Sequence, residues 1–138
     1  MIRMIFTVLI FYNFFPSQDD YNTLNIEITE LNNNNGSIVL ELLDENENQI
    51  LAFNNIPIVD NRSIFKIDSL SSGKYALRFF NDDNENGKLD TNLFGIPKEE
   101  FGNSNNVKPK FGPPNFKDMI FRIEADLNLK IISQKINF

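Results

Sequence analysis

Short runs in which apolar and polar residues alternate recur along the chain, and they constrain its fold more than any other feature. In residues 24–29, leucine and isoleucine alternate with polar residues, so one face of an extended segment is apolar. No window combines a helical apolar stripe with capping residues at its ends. The pattern predicts seven strands, at residues 24–29, 38–43, 50–53, 64–67, 74–81, 119–123 and 127–136. Because no helical patterns intervene, we expect an all-β, antiparallel β-sandwich.

The first 17 residues have the organisation of an export signal. Arg3 gives a positive start, residues 5–15 are apolar, and Pro16 and Ser17 precede an abrupt change to polar residues. We expect cleavage after Ser17, a single mature domain of residues 18–138, and a periplasmic or extracellular location. An uncleaved membrane anchor is the alternative, although the apolar run is shorter than the roughly 20 residues that a span needs. After cleavage we expect no stable membrane span.

The composition excludes several classes of function. The chain contains no cysteine, so disulfides, a lipid-modified cysteine and a thiol nucleophile are excluded. It contains no histidine, which removes Ser-His-Asp triads, histidine general bases and the usual catalytic zinc sites. The net charge of −6 disfavours nucleic acid as a partner and suits cation binding. We therefore expect no enzyme of these classes, while carboxylate chemistry remains open.

A run of acidic and amide side chains begins at the end of the fifth predicted strand. Asp82, Asn84, Asn86 and Asp90 place side-chain oxygens at positions one, three, five and nine of a loop, and Gly87 lies at position six. A hard cation needs six to eight oxygens, and a tight loop brings alternate side chains inward. With the Lys88 carbonyl at position seven as a further ligand, the spacing predicts a calcium site.

One strong ligand is missing from this pattern. Position twelve, where an EF-hand has a bidentate glutamate, is Leu93, so water or a remote carboxylate must complete the shell. Glu99 and Glu100 are the nearest candidates, and we prefer Glu99 because it follows the Gly95-Ile96-Pro97 turn most directly. The competing interpretation is a plain polar turn, since aspartate, asparagine and glycine all favour turns.

The segment from residue 82 to residue 116 has little strand or helix pattern. Connections in compact domains usually have roughly 4–6 residues, so this length needs a reason. Phe94, Phe101, Phe111 and Phe116 distinguish the segment from a disordered linker. We expect a compact loop pinned to the sandwich by these rings, with Phe94 and Phe116 in the core. For Phe101 and Phe111, packing and an exposed binding surface remain open alternatives.

Several blocks of this sequence, in this order, are similar to one protein family. They are Ser72-Gly73-Lys74-Tyr75-Ala76, the run from Asp82 to Asn92, Phe94-Gly95-Ile96-Pro97-Lys98-Glu99, Ser104-Asn105-Asn106, and Phe111-Gly112-Pro113-Pro114-Asn115-Phe116. Over most of the mature chain they resemble the exported bacterial proteins of the domain of unknown function 2141 family.

The resemblance implies export, a β-sandwich related to the immunoglobulin-like and transthyretin-like groups, and the acidic turn described above. It implies no activity, because the family has none that can be transferred. Asn103 replaces an aromatic residue common in the family, and Glu100 replaces a common glycine. Both departures make the loop more polar than is typical of the family.

Three functions are compatible with these patterns. The leading hypothesis is a calcium-stabilised structural or interaction module with an unknown protein or envelope partner. A carrier of small apolar ligands within the sandwich is the first alternative. The second is a glycan hydrolase with Asp90 and Glu99 as acid and base. Carboxylates that hold a cation are poor proton shuttles, so we predict no catalytic residues.

Overall fold

Two β-sheets pack face to face in the computed structural model, which describes residues 21–136. The predicted export signal, residues 1–17, lies outside the described residues. The strands are β1 (Tyr21–Thr29), β2 (Ser37–Asp44), β3 (Gln49–Ile56), β4 (Ser63–Ser71), β5 (Gly73–Asp82), β6 (Phe101–Asn103), β7 (Phe121–Ile123) and β8 (Leu127–Ile132). The predicted all-β sandwich is confirmed.

The strand order explains how the sheets are built. One sheet has three strands in the order β4-β1-β8, and the other has the order β3-β2-β5-β6 with β7 also paired to β5. Strand β2 takes one edge of β5, so β6 and β7 share the other edge, at Arg78–Phe80 and Gly73–Tyr75 respectively. The pairs are antiparallel except β1 and β8, which run parallel. The expectation of antiparallel pairing is therefore wrong for this one pair.

The core lies between the sheets and is built from alternate strand residues. Leu24, Ile26 and Ile28 of β1 point inward and are at most 1% exposed. Leu40 of β2 and Leu77 of β5 face them from the other sheet and are fully buried. Alternation along a strand places such residues on one face, which is why the sequence pattern located them.

Two predicted strands are shorter than expected. Met119 belongs to a single helical turn, α1 (Phe116–Met119), because Asn115 accepts a hydrogen bond from the Lys117 N–H and starts the turn. The last strand ends at Ile132, and Gln134 forms only an isolated bridge to Phe101.

Within residues 21–136, no helix has the length and apolarity that crossing a membrane requires.

We predict that Leu40→Ala lowers the free energy of unfolding by about 2–5 kcal/mol, because it leaves a cavity between the sheets. Ile64→Ala is the matched control, since Ile64 is 75% exposed on β4 and should cost less than about 0.5 kcal/mol. Urea unfolding of both variants measures the difference. Equal losses would mean that Leu40 is not at the centre of the core.

Candidate metal centre

Asp82 is held rigidly at the point where β5 ends. The Asp82 backbone pairs with Ser37 of β2, and Asp82 is only 4% exposed. One carboxylate oxygen accepts a hydrogen bond from the Asn86 N–H at 3.0 Å, and the other accepts from the Gly87 N–H at 2.7 Å. The sheet therefore fixes the first residue of the loop, and the loop backbone folds around its carboxylate.

The other three predicted side-chain ligands join the same hydrogen-bond network. The Asn84 and Asn86 side-chain oxygens accept from the Asn86 and Lys88 N–H groups, at 3.1 and 2.8 Å. Their amide N–H groups point at the Asp90 carboxylate, at 2.6 Å from Asn84 and 3.3 Å from Asn86. Positive φ angles at Glu85 and Gly87, 58° and 75°, allow the tight reversal. The structure thus brings Asp82, Asn84, Asn86 and Asp90 together.

Glu99 closes this loop from the other side. It is 4% exposed, and its two oxygens accept from the Asp83 N–H at 3.0 Å and the Asp90 N–H at 2.9 Å. The Lys98 N–H also donates to the Asp90 carbonyl at 2.9 Å. One buried carboxylate therefore brackets the start and the end of the predicted calcium loop.

The Glu100 side chain points away from this loop. It is 2% exposed and accepts from the Asn32 N–H at 3.1 Å, the Asn32 amide at 2.8 Å and the Ser133 hydroxyl at 3.1 Å. Of the two candidates for the extra ligand, Glu99 lies at the loop and Glu100 does not. Asn32, in the β1–β2 connection, is thus a structural partner of Glu100 that no sequence pattern indicates.

The oxygen atoms of this loop are of the type that a hard cation binds. The two asparagine amides, however, are not oriented to coordinate one. Among the described residues, no three acidic side chains converge in a group that could hold a metal ion. A shell must therefore include the amide oxygens of Asn84 and Asn86 and the Lys88 carbonyl alongside Asp82 and Asp90. Since both amides now direct N–H groups at Asp90, each would have to turn over to present oxygen.

The model of a family described as uncharacterized proteins conserved in bacteria, DUF2141, matches residues 26–131, which is more than half of the chain. The chain belongs to the DUF2141 family. The matched region contains the whole Asp82–Asp90 loop and Glu99, so the resemblance in sequence is confirmed. No curated protein and no solved structure matches this chain significantly.

Gly36 contacts the start of the acidic loop, although the sequence did not predict a role for it. Its φ of +72° is in the left-handed region, and a Cβ there would overlap the Asp82 carbonyl and lie 2.7 Å from the Asp83 Cα. Only glycine lets the β1–β2 connection pass so close to the start of the loop. Its place after an asparagine run marks a turn, but no local pattern indicates the contact with Asp82.

Two polar residues at the end of β6, Asn103 and Ser104, make hydrogen bonds with backbone groups of neighbouring segments. The Ser104 hydroxyl, fully buried, donates to the Met119 carbonyl at 2.6 Å and accepts from the Leu77 N–H at 3.0 Å. Asn103, the departure from the family pattern, makes two 2.9 Å hydrogen bonds with the Val107 backbone. Both residues thus give hydrogen-bond partners to backbone groups that no strand pairing satisfies.

The phenylalanines do not pin the segment as predicted. Phe94 is 87% exposed and Phe111 is fully exposed, so the expectation that Phe94 lies in the core is wrong. Phe94 is at the tip of a turn in which the Asn92 side-chain oxygen accepts from the Phe94 and Ile96 N–H groups. Phe101 and Phe116 are half-buried, and Phe116 is therefore not in the core either. Hydrogen bonds, and not aromatic packing, set the course of the chain here.

We predict that Gly36→Ala is more destabilising than Gly87→Ala. Both glycines have positive φ, which costs an alanine about 1 kcal/mol, but only Gly36 faces a close backbone neighbour. The overlap with Asp82 should add roughly 1–3 kcal/mol. Denaturant unfolding of the two variants measures this, and equal losses would show that the close approach is unimportant.

We also predict opposite hydrogen-exchange patterns for Glu99→Gln and Glu100→Gln. The first should speed exchange of the Asp83 and Asp90 amides about tenfold, because the new amide group cannot accept from both. The second should instead speed exchange at Asn32. Amide exchange by NMR gives both rates, and the same pattern in the two variants would contradict the assignment.

Proposed function

We propose that this protein is an exported β-sandwich module that calcium stabilises, and that it acts through structure or interaction. The observation that carries the proposal is the convergence of Asp82, Asn84, Asn86 and Asp90 at the end of β5. Buried Glu99 brackets the same loop. Export rests on the sequence of residues 1–17 and on the family resemblance. The partner, a protein or another envelope component, is not identified by these features.

The charge balance around the loop supports cation binding. Asn86 links two carboxylates, because its N–H donates to Asp82 and its side-chain amide points at Asp90, while Glu99 accepts from the Asp90 N–H. The ion pairs among the described residues engage other carboxylates, such as Glu41 and Asp68, and none of these three. Carboxylates gathered without a basic partner repel one another, and a divalent ion would offset that repulsion.

The expected affinity is modest. Extracellular modules commonly bind calcium at roughly 10⁻⁴–10⁻³ M, which suits a loop with Leu93 in place of the bidentate glutamate. At ten times such a dissociation constant, mass action adds about 1.4 kcal/mol to the free energy of unfolding. Calcium would then order the loop without being required for folding of the sandwich.

The glycan hydrolase alternative has weaker support. Both Glu99 oxygens are engaged by backbone N–H groups and the residue is 4% exposed, an arrangement that suits a fixed carboxylate more than a proton shuttle. Asp90 is likewise engaged by the Asn84 and Asn86 amides. A carrier with its ligand inside the sandwich is also disfavoured, because leucine and isoleucine side chains occupy that interior.

We predict that millimolar calcium raises the thermal midpoint of the protein by about 5 °C relative to chelator. Asp90→Asn should abolish this rise because it removes a charged ligand. Glu85→Gln is the matched control, since Glu85 lies in the same loop, is exposed, and loses the same charge. Thermal melts followed by circular dichroism, with magnesium as a second control ion, measure all three proteins.

Two outcomes would overturn the proposal. An unchanged wild-type midpoint at saturating calcium would remove the metal from the account. An equal loss of response in Asp90→Asn and Glu85→Gln would show that calcium only screens surface charge.

A further inference from the structure

A cleft with a volume of about 960 Å³ lies on the outer face of the five-stranded sheet. Alternate β5 residues such as Leu77 and Phe79 point into the core, so Arg78 and Phe80 point outward and form part of the cleft floor. Register places Val39 of β2 and Phe101 of β6 on either side of Phe80. The floor is therefore a half-buried aromatic and aliphatic surface.

The long segment between β5 and α1 forms the two walls. One wall is the turn of residues 91–97, which contributes Phe94 and Ile96, and the other is the stretch of residues 109–116, which contributes Phe111 and Phe116. Phenylalanine rings thus lie on the floor and one wall and, in exposed positions, on the rim. Small-molecule sites have this character, being concave, largely apolar and about 300–1,000 Å³ in volume.

Hydrogen bonds fix the first wall and the segments that flank the second. The Asn92 side chain and the Asn92–Ile96 and Asp90–Lys98 backbone bonds fix the first wall without contact across the cleft. Asn105, whose amide donates to the Asp118 and Ile120 carbonyls, ties the segment before the second wall to the end of α1. Because the first wall is fixed by bonds within its own turn, the cleft is open without an occupant.

The charges on the floor are already matched. The Arg78 guanidinium lies 2.7 Å from Glu41 and 3.6 Å from Glu47, so the floor offers no unpaired positive charge to an anion. Both carboxylates are likewise engaged, which gives a cation little advantage. Lys110 is an exposed residue of the rim. Electrostatic complementarity therefore favours a neutral occupant.

We propose that this cleft binds a neutral, largely apolar small molecule, whose rings or chain stack on Phe80 and Phe101 between the two walls. The site is separate from the sandwich interior and does not depend on the calcium proposal. Exposed Phe94 and Phe111 at the rim would be covered when the ligand is bound, which would account for two apolar rings on the surface.

Two matched fluorescent probes test the class of ligand. N-phenylnaphthylamine is neutral, and anilinonaphthalene sulfonate has the same ring system with an added negative charge. The neutral probe should bind saturably at one site per protein and at least tenfold more tightly than the sulfonate. Titrations of the whole protein, carried out at one fixed calcium concentration, give both dissociation constants.

Variants locate the binding site. Phe94→Ser combined with Phe111→Ser removes two exposed rim rings without touching the core, and should weaken binding of the neutral probe about tenfold. Ile64→Ser is the control, because it removes an exposed apolar side chain from the other sheet. It should leave the dissociation constant unchanged. Thermal melts confirm that each variant is folded.

Four results would overturn the proposal. Binding of the neutral probe that does not saturate would show only general surface hydrophobicity. If Ile64→Ser weakened binding of the neutral probe as much as the double rim variant does, the probe would likewise be binding to apolar surface in general. Tighter binding of the sulfonate would indicate an anionic ligand held by Lys110. A wild-type dimer that the double rim variant dissociates, measured by sedimentation, would make a second copy of the chain the occupant.

Discussion

Two adjacent buried carboxylates hold the acidic loop together and join the long segment to the rest of the molecule. Glu99 and Glu100 stand at the entrance to β6 and point in opposite directions. Glu99 holds the backbone of the acidic loop, while Glu100 holds Asn32 and Ser133 from the connections on its other side. A long segment outside a sheet leaves many backbone groups without partners, and charged acceptors satisfy them strongly. The pair therefore attaches the long segment to the sandwich.

The hydrogen bonds that hold the long segment also decide which of its side chains reach the surface. Because asparagine, serine and glutamate side chains set the path of residues 82–116, the phenylalanines of the segment are free to face a cleft and solvent. A segment held by aromatic packing would have buried them and closed the space over the sheet. The same hydrogen bonds thus produce the compact acidic loop and the open apolar cleft beside it.

Local periodicity was sufficient to predict the sandwich core, because alternation fixes which strand residues face inward. The position of Asp82 at the end of β5, and Glu99 as the residue nearest the loop, followed from sequence order. The parallel pairing of β1 with β8, the three residues of β6 and the exposure of Phe94 could not be predicted. Each depends on contacts between distant segments, for which a single sequence carries no local signal.

We propose that the oxygens gathered after β5 hold calcium once the Asn84 and Asn86 amides turn over. A crystal structure of the protein grown in saturating calcium tests it most directly. We expect an ion at about 2.3–2.6 Å from the Asp82, Asn84, Asn86 and Asp90 side chains and the Lys88 carbonyl. Calcium-saturated crystals in which both amides still donate to Asp90, with no ion in the loop, would contradict it.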